Sequence, residues 1–361
     1  MAGAVGLSPT RALLLIVASA NGFEVLWNSP WPSYCKDQSV VAPYPDFEKF
    51  GVIANTNASF NGDNVWTIYC PTWFSTFPHM KQQEGGSFVP VNGGIPQRGN
   101  LSAHLAQVAA DMDTLFPDAD ADGYIVIDWE VWVPWMKITD TWGSTGLYVN
   151  ESLKYVRELH PDWSQAQLDA EAVRTWNVSA LEFMVETLKT AQAMRPKAKV
   201  GYYGRPGCYT GLNATSDPPA CVASVQERND AVAALWAAGR ALFPSVYIGP
   251  NPTYPFVRTP AYVAAEIGET LRVRAKFGLQ RLPVIAFTWY DLFNTTNVSN
   301  WHQMTNATDL ETEFGTPAKA GADGIIVWGG GVDASTSARC SSMAGYFEST
   351  LGPKLQAAAG E

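Results

Sequence analysis

Short apolar runs, closed by glycine, proline or asparagine, recur along this chain and alternate with longer stretches of helical periodicity. The runs predict strands over 23–28, 51–54, 65–69, 124–129, 199–203, 245–248, 283–288 and 324–328. Most are continuous rather than alternating, as parallel strands covered on both faces should be. Between them, Leu101, Leu105, Val108, Met112 and Leu115 form an apolar stripe at helical spacing, with Asn100 placed to cap it. Leu181, Met184, Val185, Leu188 and Ala191 form a second stripe that stops before Pro196. Strands alternating with helices predict an α/β fold, a single TIM-like (β/α) barrel. The link between the second and third strands is too short for a full helix, so the barrel is expected to be irregular. In such a barrel the catalytic groups gather where strands end, at the C-terminal face.

Composition narrows the setting. Arg11, the apolar run 12–17 and the small residues Ala18, Ser19 and Ala20 form a secretory signal pattern. A signal peptide over 1–20 and one catalytic domain over 21–361 are therefore expected, with a secreted destination, extracellular or in a lysosomal lumen. No later run approaches eighteen uninterrupted apolar residues, so no membrane span is expected. Asn57, Asn100, Asn150, Asn177, Asn213, Asn294, Asn297 and Asn306 each begin an N-x-S/T triplet, and five cysteines suit an oxidising compartment. A formal net charge of −10 argues against nucleic acid or an anionic membrane as partner. With four histidines and no C-x-x-C or H-x-x-x-H spacing, no metal site and no cofactor are expected. The chain is taken to act as a monomer.

The chemistry concentrates at 123–135, GYIVIDWEVWVPW. A buried strand ends there in two carboxylates, Asp128 and Glu130, set among Trp129, Trp132 and Trp135. Residues i and i+2 of a strand project to one side, about 7 Å apart along it. Two acids facing one way among indoles suit glycosidic cleavage, where a protonated acid donates to the leaving oxygen and aromatic rings hold sugars. The plainer reading is a strand end with two solvated acids. Other strand ends add Tyr203, Tyr247, the cluster Trp289, Tyr290 and Asp291, and Trp328. A ring of acids and aromatics at one mouth favours a carbohydrate cleft. An oxygen-ligated metal on Asp128 and Asp291 is the weaker alternative, because no phosphate-cradling glycine loop accompanies it.

The chain resembles the animal and venom hyaluronidases, glycosidases that cut hyaluronan or chondroitin. The family's acid motif, roughly G-x-x-V-I-D-W-E-x-W-x-P, is met by 123–134. Further matches are Trp27-Asn28, 93–97 (GGIPQ), Tyr203-Gly204 through Cys208-Tyr209, 241–247 (ALFPSVY), 324–328 and 346–353 (YFESTLGP), in collinear order over roughly 22–355. The resemblance implies a hyaluronidase-type hydrolase acting on a glycosaminoglycan polysaccharide. It implies Glu130 as acid/base and Asp128 as the residue orienting the substrate's acetamido group, whose oxygen is the nucleophile. It also implies Tyr247 in positioning that group, and Tyr203 and Trp328 in the same subsite, to which the strand ends add Trp132, Trp289 and Asp291. Disulfides Cys35–Cys340 and Cys208–Cys221 are implied as well, which leaves Cys70 as the odd thiol where the family usually has a cleft tyrosine.

The departures bear on substrate. Val133 and Glu266 stand where the family usually carries arginine, the latter at the barrel mouth, removing partners for uronate carboxylates. Arg205 could compensate, though it reads more readily as an ordinary surface arginine. Burial among indoles and the charge of Asp128 should raise the Glu130 pKa. Activity is then expected to be best at acidic to neutral pH. A secreted carbohydrate-binding protein with weak or no catalysis, or a hydrolase of a less charged N-acetylglucosamine polymer, is the alternative.

Overall fold

The computed structural model describes residues 22–36, 39, 44–136, 146–208, 211–213, 216, 219–249, 259–292 and 304–360. The expected signal peptide, Tyr209, Asn294 and Asn297 lie outside the described residues. Among the described residues the strands run in chain order: β1 (Glu24–Asn28), β2 (Ile53–Ala54), β3 (Val65–Cys70), β4 (His79–Gln82), β5 (Phe88–Val91), β6 (Tyr124–Trp129), β7 (Lys199–Tyr202), β8 (Leu212–Asn213), β9 (Ala220–Cys221), β10 (Ile285–Trp289) and β11 (Gly324–Trp328). Two parallel sheets, β10-β11-β1-β2 and β3-β6-β7, carry the barrel; β4-β5 and β8-β9 are antiparallel hairpins outside it.

The run expected as a strand over 245–248 is the exception. Segment 242–245 touches both sheets through isolated bridges only, Tyr203 with Phe243, Leu242 with Val284 and Ser245 with Phe287. Pro244 sits inside that segment and has no N–H to give to a ladder. The segment still fills the place between β7 and β10, close enough that a Cβ on Gly201 would lie 2.5 Å from the Ala241 carbonyl oxygen.

Side-chain alternation along each strand separates two cores. Leu26, Val65, Tyr124, Val126, Phe243, Ile285, Phe287 and Ile326 fill the barrel interior. The alternate residues, among them Val25, Trp27, Ile68, Ile125, Ile127, Trp129, Ile325 and Val327, pack outward against helices. The helix Leu101–Leu115 begins as expected, with the Asn100 side chain accepting from Ala103 N at 3.0 Å. The second stripe belongs to a longer helix, Gln165–Met194, opened by a Ser164–Gln167 capping box. Among the described residues, no helix is long and apolar enough to cross a membrane. Cys35–Cys340 and Cys208–Cys221 are both bonded, and Cys70 is an unpaired thiol. Asn57, Asn100, Asn150, Asn213 and Asn306 are exposed, whereas Asn177 is half-buried and accepts from Met136 N.

Closure between β2 and β3 is made by a side chain. Asn55, 3 % exposed, accepts from Asn64 N and Val65 N at 2.9 Å each. Its amide donates to the carbonyls of Val65 and Ser59 at 3.0 Å and of Phe60 at 3.2 Å. One carboxamide thus supplies the donor and acceptor that a continued β2 would have offered to Val65. Asn55→Ala leaves those buried groups unpaired and should cost about 3 kcal/mol of stability. Urea denaturation tests this, and a midpoint equal to that of the parent would show that the closure lies elsewhere.

Candidate active site

The inward positions of β6 are Tyr124, Val126 and Asp128, so the strand that fills the barrel also delivers Asp128 to its mouth. Glu130 follows just past the strand end. Register pairs Tyr69 with Asp128, and Val65, Thr67 and Tyr69 share the inward side of β3. The cleft has a volume of about 320 Å³ and is lined by Tyr69, Cys70, Thr72, Trp73, Asp128, Glu130 and Val131. Trp328, at the inward end of β11, donates from Nε1 to the Tyr69 hydroxyl at 2.7 Å. The Tyr203 and Tyr247 rings lie 6.1 Å apart, Tyr247 and Trp328 also 6.1 Å, and the Tyr203 hydroxyl bonds Ser245 Oγ at 3.2 Å. Asp128, Glu130, Tyr203, Tyr247 and Trp328 therefore converge at one mouth.

Burial first, and then the charge of Glu130, push the Asp128 carboxyl up to about 7, with Arg205 pulling the other way. Its Oδ1 is buried without a hydrogen-bond partner among the described residues. Burial also raises Glu130, against Arg205, although Glu130 stands open to solvent and water screens part of the effect. Burial keeps the phenols of Tyr69, Tyr203 and Tyr247 well above their ordinary value, and the nearby acids add to it. All three hydroxyls stay protonated and can donate. Chemically, the mouth offers an acid pair that retains a proton up to neutral pH, ringed by donors and flat aromatic faces.

Several expectations need correction. Trp129, Trp132 and Trp135 do not wall the acids. Trp129 points outward by alternation, and Trp132, 0 % exposed, donates from Nε1 to Pro78 O at 2.6 Å and packs against Trp176. Trp132 is thus a core residue with no surface to offer a sugar. Trp289 is buried behind the cleft, 5.8 Å from Tyr247 and 5.1 Å from Trp328. Asp291 is fully buried, and the charges it senses are Asp333 and Arg339 rather than Asp128, which sets it apart from the acid pair. Val133 is a core residue. Glu266 is 3 % exposed and accepts from Cys208 N at 2.6 Å beneath the loop after β7, so it adds no repulsion at the mouth. Arg205 is no surface arginine: it is 3 % exposed, reaches toward the Trp129 carbonyl at 3.4 Å and acts electrostatically on both acids.

Tyr69 and Trp73 line the cleft and escaped the sequence reading, whereas Arg205 was noticed there but read as a surface residue. Period-two counting back from Tyr69 to Val65 could have found the first; Arg205 and Trp73 lie in irregular segments where no periodicity applies.

Comparison with known proteins agrees with this architecture. The chain is 32% identical to a hyaluronidase of Polistes annularis, across 92% of this chain and 86% of that one. It is 32% identical to a chondroitin hydrolase of Caenorhabditis elegans, across 93% and 70%. The crystal structure of bee venom hyaluronidase in complex with a hyaluronic acid tetramer superposes with a TM-score of 0.82 at 32% identity, covering 93% of this chain and 99% of that one. That likeness makes the fold a TIM-barrel type. The family described as hyaluronidase, a family of glycoside hydrolases, matches residues 14–359, and the chain belongs to it.

Proposed function

We propose that this chain is a secreted endo-β-N-acetylhexosaminidase that hydrolyses the β-1,4 bonds of hyaluronan or chondroitin, with retention. The observation that carries the reading is the acid pair itself. Asp128 and Glu130 share one open cleft with raised proton affinity, among tyrosines whose hydroxyls stay protonated and can donate. Glu130, open to solvent, gives its proton to the leaving oxygen as the acetamido oxygen attacks the anomeric carbon. Positive charge then develops on the acetamido nitrogen, and Asp128 accepts that N–H. Its high proton affinity, set by burial, suits an acceptor there. Tyr247, one ring away from Tyr203 and Trp328, donates to and orients the acetamido group. Glu130, now a carboxylate, takes a proton from water, which opens the cyclic intermediate and returns the acid to its starting state. No protein carboxylate attacks the sugar, so the usual relation between carboxylate separation and stereochemistry does not apply.

A less charged polymer is the second reading, favoured by one observation: among the described residues, the charged ones lining the cleft are both acids. The experiment is release of reducing ends from hyaluronan, chondroitin and a neutral N-acetylglucosamine polymer, from about pH 3.5 to 7.5, which brackets the expected titration. Cleavage of either glycosaminoglycan supports the first reading. Cleavage of the neutral polymer alone supports the second. Measurable binding without cleavage of any polymer would overturn the enzyme.

A further inference from the structure

Trp73 is 53 % exposed, whereas the tryptophans of the acid motif are buried. It lines the cavity that holds Asp128 and Glu130. Its placement is braced. Trp73 N donates to Tyr69 O at 3.0 Å, and the Tyr69 ring meets the indole edge-on at 5.4 Å. Tyr69 is fixed in turn by Trp328 Nε1 at 2.7 Å and by stacking on Phe60 at 6.3 Å. An indole held open to water beside two acids keeps apolar surface uncovered, and folding gives no return for it.

The face of a pyranose ring is a natural cover. Its C–H bonds carry slight positive charge, and the indole face is electron-rich. The charges around the cavity point the same way. Among the described residues, its charged lining residues are Asp128 and Glu130, and Arg205 lies buried below them. Recognition of a carboxylate is thus not what this wall provides, while contact with a ring face needs no charge.

On the reading that the chain cleaves a polysaccharide, we propose that Trp73, on its Tyr69–Trp328 brace, is a stacking platform for the sugar ring next to the reacting N-acetylhexosamine. It recognises the ring's C–H face and not its carboxylate, and it contributes to holding the polymer rather than to bond cleavage. Covering one indole face removes on the order of 50 Å² of apolar surface from water, which corresponds to about tenfold in affinity.

The test is calorimetric titration of the Glu130→Gln protein, which leaves substrate intact, with hyaluronan oligosaccharides long enough to span the cleft and with their carboxyl-reduced counterparts. Adding Trp73→Ala should raise Kd about tenfold for both ligands, and Trp73→Phe should recover most of the loss. Because Trp73 is half-exposed, thermal midpoints should match. An unchanged Kd on Trp73→Ala overturns the platform, as does a loss confined to the carboxylated ligand. Turnover by the protein with Glu130 intact is a separate readout: failure to cleave any polymer removes the enzymatic assignment, whereas the platform stands or falls on Kd.

Discussion

Glu130→Gln protein should fold and bind polymer but turn it over about a thousandfold more slowly, the size expected when a positioned acid is lost. Glutamine keeps the shape of the side chain and removes the proton that the leaving oxygen must receive. Glu130 is open to solvent at the lip of the cleft, and no core contact depends on it. Circular dichroism and the thermal midpoint should therefore match the parent. The substitution has a second consequence within the pair. The charge of Glu130 helps to raise Asp128, so removing it should lower the Asp128 pKa from about 7, a change that carboxyl NMR can follow. Asp128→Asn should also lose turnover, through a different step: the developing charge on the acetamido nitrogen loses its acceptor. Near-parent turnover by Glu130→Gln would falsify the role assigned to Glu130, whatever the Asp128 variant did.

The second large effect concerns stability, which should fall as pH rises from about 5 to 8. Burial raises Asp128 to about 7, and burial raises Glu266 and Asp291 to about 8 each. Burial also raises Glu313, which is fully enclosed and accepts from Trp289 N at 2.6 Å. In the unfolded chain these carboxyls lose their protons near pH 4. Between that pH and 7 to 8 the folded state holds more protons than the unfolded one, so raising pH favours unfolding. The cost is absent below the unfolded values and complete above the folded ones. Each tenfold change in proton affinity is worth about 1.4 kcal/mol, so the group together should cost several kcal/mol across the window. Groups lowered by partners, such as Glu171 by Arg174 and Glu311 by Lys319, work oppositely and lose their contribution only below their ordinary range. Stability should therefore peak in mild acid. Thermal midpoints at pH 5 and 8 test this, with Glu266→Gln expected to flatten the slope because its amide oxygen can still accept from Cys208 N. A midpoint that is equal or higher at pH 8 would contradict the raised proton affinities of these buried acids.

Much of the fold was legible because its strands are continuous apolar runs and its turns are marked by glycine, proline and asparagine. The same runs located Asp128, since the period of two that packs Tyr124 and Val126 inside the barrel carries the acid to the mouth. That period also determined that Trp129 faces the helices, against the wall of indoles expected from adjacency along the chain. Proximity in sequence suggested what alternation forbids.

Other features had no local signature. Segment 242–245 stands in for a strand although Pro244 breaks its ladder, and Asn55 stands in for backbone at the opposite seam. Glu266 and Val133 were weighed as missing cations at the cleft, yet helix and core packing turn both away from it. Arg205 looked like a surface residue, and its burial under the acid pair depends on the loop after β7 folding back to bridge Phe243.

By itself the sequence determined the alternating architecture, the position of the acid pair at a strand end, and the resemblance that names a family. These follow from short-range periodicity and from motifs read in order. Only the tertiary structure decided which aromatic rings face the cleft, which charges lie near the acids, and how strongly each carboxyl holds its proton. Those properties depend on burial and on neighbours distant in the chain, so no local pattern encodes them.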